Sequence, residues 1–114
     1  MDTNQYLSMF IEESREHLQA MNDHLLQLEN EPDDIDIVNR IFRSAHTLKG
    51  MSATMGFEDL AALTHQMENV LDLNRSGKLA MNEDILDTLF RCLDALESMV
   101  NDIVNGGTGQ LDVS

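Results

Sequence analysis

The chain holds one proline, one cysteine, and only seven Lys and Arg against 21 Asp and Glu. The shortage of cations leaves a formal charge of −14. That excludes nucleic acid as a ligand, because little is present to release counterions from a phosphate backbone. It disfavours an anionic membrane surface too, while fitting a soluble domain steered toward basic partners. Cys92 has no second cysteine to pair with, so no internal disulfide forms and a reducing compartment is weakly indicated. No apolar run approaches the about 20 residues of a membrane span. Met1 leads straight into polar residues, with neither the basic nor the apolar region of a leader. The expected location is the cytoplasm. Strand-like alternation is missing as well, which turns attention to helices.

What is present is helical periodicity, repeated four times. With 42% hydrophobic residues, the chain is expected to build one domain around one modest core. The first helix is expected from about Asn4 to Glu29, with Asp2 or Thr3 as its cap. Leu7, Ile11, Ser14, Leu18, Met21, Leu25 and Leu28 form its apolar stripe, and Glu12, Glu13, Glu16 and Asp23 its wet side. Pro32 breaks it, and Asp33 or Asp34 can cap the next. A second helix is expected over Ile35 to Met55, ending at Gly56, and a third over Phe57 to Asn74. The third turns Leu60, Leu63, Thr64, Met67, Val70 and Leu71 inward, and Arg75 to Lys78 connect it onward. Asn82 caps a fourth, whose seam is Ile85, Leu89, Cys92, Leu96, Met99 and Ile103, flanked by Leu86, Leu93 and Val100. Short connections between four amphipathic helices give an all-α, antiparallel up-and-down four-helix bundle. The run Asn105-Gly-Gly-Thr-Gly109 reads as the start of a linker rather than a closing cap, so a longer parent protein is expected.

The second helix carries the polar feature that the core does not explain. Plotted at about 100° per residue, Val38, Ile41, Ala45, Leu48, Ser52 and Met55 share one side. Asn39, Arg43, His46, Lys49 and Gly50 gather on the other. His46 is therefore an exposed imidazole that something else approaches, and Gly50 beside it keeps the surface low. If the second and third helices fold back at Gly56, residues equally far from that turn meet. His46 lies ten positions before Gly56, His65 nine after it and Glu68 twelve after it, so all three reach one level. A carboxylate that accepts a proton from one imidazole nitrogen leaves the other nitrogen's lone pair free and outward, which makes a defined nucleophile. Lys49, one turn on, can balance an incoming phosphoryl charge. Taken singly, surface His, Lys and Glu are more often solvated decoration, and His17 and His24 belong in that class. A zinc site from His46, His65 and Glu68 lacks a fourth ligand, since Cys92 lies in another seam. Phosphate loops, nucleophile elbows and paired-cysteine metal motifs are all missing.

Ala45-His-Thr-Leu-Lys-Gly50 resembles the phosphorylation signature of histidine-containing phosphotransfer (Hpt) domains. Ala53-Thr-Met-Gly-Phe57, Thr64-His-Gln-Met-Glu-Asn69 and Gln5-Tyr-Leu-Ser-Met-Phe-Ile-Glu-Glu-Ser14 narrow this to the N-terminal Hpt domains of the CheA family of chemotaxis kinases. The resemblance runs over nearly the whole chain. It implies that His46 accepts a phosphoryl group at Nε2 from ATP, bound with magnesium by the CheA kinase domain. Glu68 would hold the Nδ1 proton, with Lys49 and His65 in support. The group would pass to an aspartate of a CheY- or CheB-like response regulator. On that reading residues 1–105 are the phosphotransfer domain and 106–114 begin a linker. The domain itself binds no cofactor or metal, and its parent is a histidine kinase. A further C-terminal helix, frequent in the family, is expected to be missing. A stand-alone Hpt phosphorelay protein and a non-catalytic acidic helical adaptor are the alternatives.

Overall fold

The chain turns where the sequence supplies a residue that cannot stay helical. The computed structural model describes residues 3–110 as four α-helices. They are α1 (Thr3–Asn30), α2 (Ile35–Thr54), α3 (Glu58–Arg75) and α4 (Glu83–Val104), and no strand occurs among the described residues. Asp2 and the side chain of Thr3, the expected caps of α1, lie outside what is described. Pro32 falls in the first turn, and the Asp34 carboxylate caps α2 by accepting from the Asp36 N–H at 3.0 Å. Asn82 caps α4 in the same way, accepting from Ile85 N–H at 2.9 Å.

Three helices end alike. At Gly56 the backbone takes φ +81°, a left-handed conformation that costs glycine nothing. Gly56 N–H then donates to Ala53 O and Phe57 N–H to Ser52 O, the paired bonds of a Schellman cap. The same pair closes α3 at Gly77 and Lys78 and α4 at Gly106 and Gly107. The last of these corrects the linker expectation. Gly107 N–H donates to Asp102 O at 2.8 Å, Gly109 N–H to Asp102 Oδ2 at 3.0 Å, and Gly109 is buried against Ile103. The run through Gly109 is thus folded back as a cap, because its backbone groups satisfy the carbonyls that the helix end leaves unpaired. Residues 111–114 lie outside the described residues.

α1 packs on α2 and α4, and α3 packs on the same two helices, so the four form a closed ring around one core. Met21, Leu25, Leu28, Ile41, Leu48, Leu60, Met67, Leu71, Leu89 and Leu96 are fully enclosed there. Three faces differ from the expected stripes, with Leu63 and Val70 of α3 only half-buried. At the start of α1 Leu7 and Ile11 are only half-buried, and Phe10 enters the core instead, its ring 5.2 Å from that of Phe57. On α4 Leu86, Leu93 and Val100 are buried while Ile85 and Cys92 are half-buried. A helix wedged between two neighbours buries a face wider than a single seam, and the centre of that face shifts.

Candidate functional site

The Gly56 cap folds α3 back along α2, which brings the polar edge of each helix together. His46 Nδ1 lies 2.6 Å from Glu68 Oε2, and Lys49 Nζ donates to Glu68 Oε1 at 2.8 Å. The level reached by counting from Gly56 is therefore right for His46 and Glu68. The partners differ sharply in exposure: the His46 side chain is 64% exposed and that of Glu68 9%. One carboxylate, sunk into the α2–α3 seam, thus serves an imidazole that stands in solvent.

Burial pushes the Glu68 carboxyl toward protonation, but the hydrogen bonds and charges of Lys49 and His46 outweigh it and hold its pKa below the usual carboxylate value. An ionised carboxylate can only accept, so the proton of the short bond resides on Nδ1 of His46. Nε2 takes no hydrogen bond among the described residues, and its lone pair is free. The site presents an imidazole whose Nδ1 faces a fixed anion and whose Nε2 faces outward.

The Lys49 ammonium is paired with Glu68 and its side chain is 28% exposed. His65 is exposed on α3 and joins neither hydrogen bond. It lines a shallow depression of about 530 Å³ with Lys49, Gly50 and Ala53. Gly50 is exposed, and a Cβ added there would meet nothing within 4 Å. His17 and His24 stand apart from the site, and both are half-buried rather than fully solvated. A zinc site finds no support. Among the described residues no three His, Cys, Asp or Glu side chains converge as ligands, and the second Glu68 oxygen already holds an ammonium.

Two neighbours were not legible as site residues. Phe42 lies one turn before His46 with its ring parallel to the imidazole, at an interplanar angle of 9° and a centroid distance of 6.2 Å. Arg75, at the end of α3, sets its guanidinium carbon 3.8 Å from the centre of the Phe42 ring. The four-residue spacing of Phe42 and His46 was the available signal, whereas the role of Arg75 depends on how α3 lies against α2.

Comparison with known proteins gives concordant matches. The Hpt domain family model matches residues 5–105. The chemotaxis protein CheA of Bacillus subtilis is 59% identical over all 114 residues of the chain, which span 17% of that protein. Among solved structures, the CheA phosphotransferase domain from Thermotoga maritima superposes with a TM-score of 0.87 at 43% identity, covering 91% of this chain and 99% of that one. The phosphorylated P1 domain of CheA3 from R. sphaeroides, solved in complex with CheY6, superposes with a TM-score of 0.85 at 25% identity, covering 91% and 81%.

Proposed function

The chain belongs to the Hpt domain family, and from that premise we propose that His46 is its phosphoacceptor in a chemotaxis phosphorelay. The observation that carries the proposal is the 2.6 Å contact between His46 Nδ1 and the buried Glu68 carboxylate. The donor is ATP, held with magnesium by a separate CheA kinase domain. Nε2 attacks the γ-phosphorus in line, the N–P bond forms, and the bond to the ADP oxygen breaks. Positive charge grows on the imidazole as its lone pair is used, and Glu68 behind Nδ1 stabilises it. Lys49 keeps Glu68 ionised, so the carboxylate does not simply remove the Nδ1 proton. In the second step an aspartate of a CheY- or CheB-like response regulator attacks phosphorus. The N–P bond breaks and His46 returns to its neutral tautomer.

The CheA3 domain solved with CheY6 supports a response regulator as the second partner. The exposed imidazole and the low surface at Gly50 suit two successive partners that each bring a catalytic centre to His46. His65 has at most a supporting role at the rim. The whole parent protein, of which relatives are about six times longer, would be a cytoplasmic histidine kinase. Among the described residues no helix is long and apolar enough to cross a membrane. The test is incubation with a CheA kinase domain and γ-labelled ATP, followed by a CheY-like regulator. Label should enter the chain and then leave it for the regulator. An adaptor would take up none.

A further inference from the structure

A single hydrogen bond does not fix a ring. The His46 imidazole is 64% exposed and tied to Glu68 through Nδ1 alone. Concerted changes of χ1 and χ2 can swing it while that one bond is kept. An in-line attack needs the Nε2 lone pair to hold one direction, since small misplacements of a reacting atom are costly. Something must restrain the plane.

Phe42 is placed to do so. It sits one turn before His46, half-buried, and its ring is parallel to the imidazole within 9°, at a centroid distance typical of an offset stack. The ring is itself held. Arg75 stacks on it at 3.8 Å, and Arg75 is tethered in turn to Asn39 Oδ1 at 3.4 Å and Asp72 Oδ1 at 3.2 Å. Planar stacking of a guanidinium on an aromatic face favours arginine over lysine. His46 is thus bracketed by two α2–α3 bridges, Lys49 and Glu68 on the turn after it and Phe42 and Arg75 on the turns before.

We propose that Phe42, clamped by Arg75, is a positioning residue that fixes the plane of the His46 imidazole and so the direction of Nε2. The proposal rests on His46 being the phosphoacceptor. Phe42 touches neither donor nor phosphoryl group and acts only through the histidine. Its removal leaves the partner's docking surface in place, so it slows the transfer step without weakening encounter.

The experiment measures initial rates of labelling by a CheA kinase domain with saturating γ-labelled ATP, over a range of concentrations of the chain. Phe42→Leu keeps an apolar side chain but no flat face, and should lower kcat about tenfold with KM unchanged. Arg75→Gln and Arg75→Lys, both at the surface, should each lower kcat about threefold, because neither supplies a planar cation. The Arg75→Lys loss should persist at high salt, where a screened charge effect would fade. Wild-type kcat in Phe42→Leu overturns the proposal. If Phe42→Leu proves unfolded by circular dichroism at the assay temperature, the arginine variants decide, and wild-type kcat in both overturns it. His46→Gln is run alongside: label persisting there overturns the acceptor assignment itself, a result distinct from any outcome at Phe42.

Discussion

Glu68 shows how one side chain can set the chemistry of another. Glu68→Gln keeps the shape but removes the anion behind the growing imidazolium charge, and should slow phosphorylation by about tenfold or more. Initial labelling rates with excess kinase domain check this, and Lys49→Ala should cost less because it removes only the support of the carboxylate. Linkage gives an independent sign. A carboxyl whose folded pKa is depressed contributes stability that is present above its unfolded value and lost as pH falls through its folded value. The stability difference between wild type and Glu68→Gln should therefore narrow on acidification through the carboxylate range, as read by urea denaturation at each pH. A constant difference would mean that the carboxylate is not held ionised by its partners. At this scale the sequence was legible where geometry depended on backbone level alone. His46 and Glu68 could be brought together by counting from Gly56. The pairing of Lys49 with Glu68 could not be read, because a long side chain on the right face can reach either solvent or the carboxylate. Arg75 was hidden for a similar reason, since its contact with Phe42 requires the lateral packing of two helices.

At the scale of the element, α2 separates scaffold from site by helical phase. Leu48 is completely buried two residues from the exposed His46. Leu48→Ala should destabilise the bundle by about 2–5 kcal/mol, visible as a lower denaturation midpoint. Gly50 offers the opposite test. A methyl group there meets no neighbour, and alanine is the better helix former by about 1 kcal/mol. Gly50→Ala should raise the melting temperature while slowing phosphotransfer, because on the proposed function the added bulk lies where partners approach. Unchanged transfer would remove the role assigned to the low surface. The number, order and faces of the helices could be read from periodicity and from the capping residues Asp34, Gly56 and Asn82. The rotation of the α4 face toward Leu86, Leu93 and Val100 could not, since it reflects two neighbours pressing on one helix. The cap at Gly106 was missed because a glycine-rich run reads equally as a flexible tail until its backbone bonds are seen.

For the whole molecule, a charge of −14 says little about chemistry, which the proposed function confines to one face of the α2–α3 pair. The fold supplies two helices at a set level, and on the proposed function the polar residues along their seam prepare one nitrogen for attack. That claim is tested most directly by locating the phosphorus on the phosphorylated chain, using ¹⁵N and ³¹P NMR of protein labelled in its histidines. The account predicts a single phosphohistidine at His46, bonded through Nε2, with Nδ1 still protonated against Glu68. A phosphoryl group on Nδ1 of His46, or on His65, would contradict it.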